Sequence, residues 1–132
     1  MRIRTITAAV FAALLIALVG VAWSQMDMEV VDNTFFEDPE RPPATFVHDD
    51  HNYEADIMDC NVCHHVYEDG EFQEDQDSVG MYCSDCHGLE ADGSMPGLMQ
   101  AYHGQCKGCH LEKDAGPVTC GGCHEKGNEK KL

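Results

Sequence analysis

All eight cysteines of this 132-residue chain belong to one motif, Cys-x-x-Cys-His, which occurs four times. The cysteines are Cys60, Cys63, Cys83, Cys86, Cys106, Cys109, Cys120 and Cys123, and the histidines that follow each pair are His64, His87, His110 and His124. On a helical turn, residues i and i+3 share a face, so both thiols can bond to the vinyl edge of one porphyrin while the next imidazole lies under the iron. The pattern therefore predicts four covalently attached haem c groups, each with one iron.

Other uses of paired cysteines fit this pattern less well. Zinc ribbons need paired Cys-x-x-Cys knuckles and have no reason to place a histidine directly after each one. A thioredoxin-like redox pair is expected once, in a βαβ context that this sequence lacks. Four disulfides are the first expectation for eight cysteines in an exported protein, but they do not require so regular an arrangement.

The remaining histidines match the remaining iron positions. Outside the motifs lie His48, His51, His65 and His103. Four six-coordinate irons need eight axial ligands, and the chain has eight histidines. His65 directly follows His64 and projects in another direction, so we expect it to bind a second haem and to bring two haems close together.

Ligation by two histidines limits the chemistry. It keeps the iron at low potential and leaves no open position for a small-molecule substrate. The sequence therefore predicts an electron-transfer protein and not an enzyme. Four methionines could compete as axial ligands, but we expect them to pack against porphyrin instead. They are Met58, Met81, Met95 and Met99.

Apolar residues are too scattered after residue 24 to predict a core of side chains, so we expect the haems to fill the interior. The predicted fold is a small multihaem cytochrome c, mainly α with much irregular structure and a short N-terminal β element. Segments 30–31 and 45–47 predict at most two short strands, and 68–80 an acidic loop. A helix is expected from 94–96 to Tyr102 or His103, another short one at the fourth motif, and a mobile tail at 127–132.

The N-terminus predicts export. Arg2 and Arg4 precede an apolar run from Ile6 to Ala22, and small residues follow at Ala22 and Ser24. We interpret residues 1–24 as a signal peptide cleaved after Ser24 or Ala22, with an uncleaved membrane anchor as the alternative. Residues 25–132 then form one domain located in the periplasm, with membrane association left open.

Charge is distributed unevenly along the exported part. Without residues 1–24 the chain has 6 basic and 24 acidic residues, a formal net charge of −18. Residues 25–105 contain 20 acidic residues and one base, Arg41, whereas 106–132 contain 4 acidic residues and five lysines. Such a field excludes nucleic acid and favours basic protein partners, although an acidic surface that only maintains solubility is the simpler alternative.

Together these motifs resemble the tetrahaem class III cytochromes c, the cytochrome c3 family. The similarity lies in the pair His48-Asp-Asp-His51 before the first motif, the doubled histidine after Cys63, and the lone histidine before the third motif. It extends over about residues 44–124. The resemblance implies four axial pairs, which are His48 with His64, His65 with His87, His51 with His110, and His103 with His124.

The chain departs from the common family pattern in two respects. Many members have Cys-x4-Cys-His at the second and fourth haems, whereas all four motifs here are Cys-x-x-Cys-His. The common type is also basic, whereas this chain is strongly acidic. The sequence therefore resembles the acidic type II subgroup, which implies transfer between a basic cytochrome c3 or hydrogenase system and a membrane-bound redox complex in sulfate or other anaerobic respiration. His103 lies three residues before Cys106, closer than is usual in the family.

Two other functions are compatible with a multihaem chain. A small multihaem reductase acting on nitrite, sulfite or a metal ion would need one five-coordinate haem, so one of the histidines outside the motifs would not be a ligand. A haem-storage or sensor protein has no specific support in the sequence.

Overall fold

The computed structural model describes residues 28–128, so the predicted signal peptide at residues 1–24 lies outside the described part. Apart from one helix of 16 residues, the helices and strands within this range are short and widely spaced. Its helices are α1 (His48–Glu54), a 3-10 helix (Cys60–Val62), α2 (Cys83–Cys86), α3 (Leu98–Lys113) and α4 (Cys120–Cys123), and its strands are β1 (Tyr67–Glu68) and β2 (Glu71–Phe72). No helix between residues 28 and 128 is long and apolar enough to cross a membrane.

The N-terminal β element consists of a single antiparallel bridge, Val30 to Thr45. The Val31 amide donates to the Ala44 carbonyl at 2.9 Å, and the Phe46 amide donates to the Glu29 carbonyl at 2.9 Å. This agrees with the expectation of at most two short strands. The Thr45 amide also donates to the Cys123 carbonyl at 2.8 Å, which ties the N-terminal segment to the fourth motif.

The only sheet in the described range is the hairpin of β1 and β2, with Tyr67 opposite Phe72 and Glu68 opposite Glu71. The expectation of a loop throughout 68–80 was therefore wrong at its start. Asp69 and Gly70 have φ of 52° and 84°, the left-handed conformations that a two-residue hairpin turn requires and that Asp-Gly favours. The acidic composition of the segment obscured this turn signal.

The long helix α3 differs from its prediction at both ends. It begins at Leu98, after Gly97, and continues through the third motif to Lys113. Its start is anchored by Leu98, whose side chain is 1 % exposed and whose amide donates to the Gly88 carbonyl at 2.7 Å. Glycine costs a helix about 1 kcal/mol relative to alanine, but Gly104 and Gly108 do not end this one. It ends at Lys113, and the next residue, Asp114, has the left-handed φ of 51°.

Few apolar side chains are buried. Among the described residues the buried hydrophobic ones are Val30 and Leu98, whereas large apolar residues such as Phe35, Tyr53 and Leu111 are exposed. A domain of this size normally buries well over half of the surface of its unfolded chain. The polypeptide therefore contributes little core of its own, as its composition predicts.

The C-terminal segment is held against the rest of the protein as far as Asn128. Asn128 is 3 % exposed, and its Nδ2 donates to the Pro43 carbonyl at 3.1 Å and to Thr45 Oγ1 at 2.9 Å. A buried amide is tolerated because such hydrogen bonds satisfy it. The prediction of a mobile tail beginning at residue 127 was therefore wrong for Asn128, and residues 129–132 lie outside the described part.

Candidate haem sites

Each Cys-x-x-Cys lies on a helical turn, as its spacing predicts. The first occupies the 3-10 helix, the second and fourth occupy α2 and α4, and the third lies within α3. In the three isolated turns the amide of the motif histidine donates to the carbonyl of the first cysteine at 2.8 Å; these bonds join His64 to Cys60, His87 to Cys83, and His124 to Cys120. This repeated bond fixes the histidine relative to both thiols.

All eight cysteines lie in the described range, and none of them is paired in a disulfide. Burial of the sulfur raises the pKa of the Cys106 thiol to about 11, and nearby thiols, Cys63 first, raise it further. Burial also raises the pKa of the Cys63 and Cys83 thiols. Reactive redox pairs instead have lowered thiol pKa values, the opposite direction from the shifts of these three thiols.

The eight histidines meet in four pairs. The ring centroids are 6.4 Å apart for His48 and His64, 5.9 Å for His65 and His87, 6.0 Å for His51 and His110, and 6.3 Å for His103 and His124. With metal–nitrogen bonds of about 2.0–2.1 Å, two imidazoles on opposite sides of one metal have centroids roughly 6.3 Å apart, against roughly 5 Å at a tetrahedral angle. Each of the four separations would leave room for one metal ion between the two rings of the pair.

Three motif histidines are oriented by proline carbonyls. The Nδ1 of His87 lies 2.9 Å from the Pro96 oxygen, that of His110 lies 2.7 Å from Pro117, and that of His124 lies 2.7 Å from Pro42. A carbonyl only accepts, so each ring carries its proton on Nδ1 and leaves the Nε2 lone pair free for a metal. These prolines could not be identified from the sequence, because their positions mark turns and give no indication of a bond to histidine.

The Nδ1 of His48 meets a carboxylate instead of a proline carbonyl. Its Nδ1 lies 2.8 Å from Asp49 Oδ1, and Asn52 Nδ2 lies 3.3 Å from its Nε2. Both contacts require the proton on Nδ1 and the lone pair on Nε2, the tautomer that ligation needs. Binding a metal at Nε2 would replace the weak contact with Asn52.

A family comparison agrees with this donor set. The family model described as the class III cytochrome c family matches residues 25–124. The chain belongs to the class III cytochrome c family. Class III cytochromes c bind haem c and function in electron transfer, and the eight cysteines fit their attachment motifs. A comparison with curated proteins found no match.

Two adjacent histidines of this class III cytochrome, His64 and His65, have lowered pKa values. Burial lowers the pKa of both His64 and His65, and the nearby histidines, His48 for the first and His87 for the second, lower them further. The neutral ring is the form that binds a metal. Their environment therefore suits the ligand role that was inferred from the doubled histidine.

The His110 ring packs directly against backbone. Gly116 has φ of +77°, and a Cβ built on it would lie 2.8 Å from His110 Nε2. A side chain at residue 116 would both strain the backbone and displace the ring. Glycine at this position thus leaves the space that the imidazole occupies.

Two polar side chains of α3 connect the cysteine motifs. Gln105 Nε2 donates to the Val62 carbonyl at 2.7 Å and lies 3.9 Å from Cys63 Sγ, which joins the first motif to the helix carrying the third. Tyr102 donates to the Asp32 carbonyl at 3.3 Å, and burial together with the nearby Cys83 of the second motif raises its pKa. A groove of about 500 Å³ runs beside Val62, Gln105 and Cys109.

The surface at the first motif is acidic. A cavity of about 220 Å³ is lined by Cys60 together with four carboxylates, which belong to Asp59, Glu74, Asp75 and Asp77. The Asn61 side chain donates to the Glu74 carbonyl at 2.7 Å and holds this segment against the motif. The polypeptide leaves Met58, Met81, Met95 and Met99 exposed, and their packing against porphyrin stays a prediction.

Proposed function

We propose that this class III cytochrome is a low-potential periplasmic electron carrier with four covalently bound haems, each ligated by two histidines. The observation that supports it most directly is the approach of all eight histidines in four pairs, with centroids 5.9–6.4 Å apart. Haem c supplies one reversible electron per iron. The chain's cysteines would attach it and its histidines would bind the iron, while proline carbonyls orient three of the histidine rings.

The location follows from the predicted signal peptide at residues 1–24 and from the family, whose members are typically periplasmic. The acidic exported part, and Cys-x-x-Cys-His at all four sites, favour the type II subgroup. We therefore propose a basic redox protein, such as a basic cytochrome c3, as electron donor, and a membrane-bound redox complex as acceptor.

The first test is the number and coordination of the haems. We expect intact-protein mass spectrometry to give four haem additions, and the reduced protein to show low-spin spectra without binding carbon monoxide. Fewer than four additions would contradict the proposed haem number. Ready binding of carbon monoxide by the native reduced protein would favour the multihaem reductase, because it requires an open axial position.

Acid is expected to destabilise the protein. His64 and His65 have pKa values lowered from 6.5 by burial, so the unfolded chain binds their protons more readily than the native one. Their contribution to the free energy of unfolding is complete above about pH 6.5 and is lost as the pH falls towards the lowered native values. Iron binding by these histidines would also make stability decrease on acidification, because a metal-bound imidazole is unprotonated.

Denaturant unfolding between pH 5 and pH 8, followed by circular dichroism and haem absorbance, checks this expectation. Carboxylates titrate mainly near pH 4, so they contribute little to the slope in this window. Stability that stays constant or increases on acidification from pH 7 to pH 5 would contradict it.

A further inference from the structure

The group that accepts the hydrogen bond from His48 Nδ1 distinguishes the first haem site from the others. Among the histidine Nδ1 bonds of the described residues, those of His87, His110 and His124 end on neutral proline carbonyls at 2.7–2.9 Å. His48 instead meets the carboxylate of Asp49, at 2.8 Å. A carboxylate attracts the Nδ1 proton more strongly than a carbonyl does, and so makes the imidazole a stronger electron donor at Nε2.

The local structure supports a fixed contact at this position. His48 and Asp49 are the first two residues of α1, and the side chain of His48 is 24 % exposed. Phe46 lies beside His48 with ring centroids 5.9 Å apart, and the His64 ring centroid lies 6.4 Å from that of His48. The contact of Nδ1 with Asp49 leaves Nε2 as the nitrogen that could bind a metal.

We propose that Asp49 is a positioning residue that orients His48 and, through it, lowers the reduction potential of the haem held by Cys60 and Cys63. This inference rests on the proposed axial role of His48. Greater electron donation by the ligand stabilises oxidised over reduced iron, which is an established way for a protein to tune haem potential.

A different explanation for Asp49 is available in the same helix. Acidic residues in the first turn stabilise a helix through its dipole, and both Asp49 and Asp50 lie there. Asp50 has the same charge and nearly the same helix position, but within the described residues its carboxylate makes no hydrogen bond to a histidine. It therefore provides a matched control for charge and helix stability.

The experiment compares the holoproteins of D49N, D49A and D50N with wild type by spectroelectrochemical titration, at low and at high salt. Haem NMR signals assign each reduction step to its site. We expect D49N to shift the midpoint of the first haem to a more positive potential, D49A to shift it further, and D50N to shift it less. The Asp49 effect should persist at high salt, because it acts through a hydrogen bond, whereas the long-range field removed by D50N is screened.

Equal shifts in D49N and D50N, or shifts spread evenly over the four haems, would overturn the role of Asp49. A further variant, H48A, separates this result from failure of the proposed function. If H48A leaves the first haem low-spin and closed to carbon monoxide, His48 is not its ligand, and both the ligand assignment and this inference are wrong. If H48A opens that haem while D49N behaves like D50N, only this inference is wrong.

Discussion

Replacing Cys60 and Cys63 with alanine is expected to remove one haem and to unfold much of the chain. Val30 and Leu98 are the buried hydrophobic residues of the described range, so the proposed haems must provide most of the apolar interior. Truncating one large core side chain to alanine costs roughly 3–5 kcal/mol, and a porphyrin is larger than any side chain. The expected loss is therefore a large part of the roughly 5–15 kcal/mol that stabilises a typical domain.

Mass spectrometry, near-UV circular dichroism and denaturant unfolding measure this effect. Asn61→Ala is the matched control, because it changes the same turn, keeps both thiols and removes one hydrogen bond of 2.7 Å to the Glu74 carbonyl. It should retain all haems and lose about 1 kcal/mol. A haem-free chain with dispersed NMR signals and cooperative unfolding would show that the polypeptide forms a sufficient core without haem.

The helical turns of the motifs could be predicted from sequence because the requirement is local. Two thiols three residues apart reach one edge of a ligand only on such a turn, and all four motifs lie on one. The N-terminal bridge was also predictable, since β-forming residues surround Val30 and Thr45. The Asp69-Gly70 hairpin was equally local, but it was missed because the acidity of its surroundings outweighed the turn signal.

The contacts that orient the histidines could not be predicted in this way. The bond from His124 to Pro42 spans 82 residues, and the Asn128 bond to Pro43 spans 85. No sequence pattern identifies a carbonyl as the acceptor of a distant imidazole. The four pairings implied by the resemblance correspond to the pairs that lie close in space, whereas their ligation of iron remains a proposal that the haem experiments test.

Association with a basic electron donor is expected to depend strongly on salt. The 20 acidic residues of 25–105 oppose one basic residue, and four carboxylates surround the cavity next to Cys60. The first haem should therefore lie in a negative field, whereas Lys107 and Lys113 in α3 and Lys126 near α4 make the region of the fourth haem more nearly neutral. A basic protein should dock near the first haem and donate electrons there.

Electrostatic steering raises association rates by about 10–10³-fold and decreases with ionic strength. Stopped-flow electron transfer from a basic donor should therefore slow markedly as salt rises past 0.1 M, where the Debye length is about 10 Å. An acidic donor of similar potential should be slower at low salt and should show the opposite trend. A flat salt dependence for both donors would mean that the acidic surface only maintains solubility.

A pair of triple variants locates the docking surface. E74Q/D75N/D77N removes three charges beside Cys60, and the Asn at position 77 keeps the oxygen that accepts the Val79 amide. E37Q/D38N/E40Q removes three exposed charges from the N-terminal loop, at residues that do not line that cavity. Both variants change the net charge equally, so a uniform acidic field predicts that they slow electron transfer from the basic donor equally. Docking at the first haem instead predicts that E74Q/D75N/D77N loses more of the electron-transfer rate, and more of its salt dependence, than E37Q/D38N/E40Q.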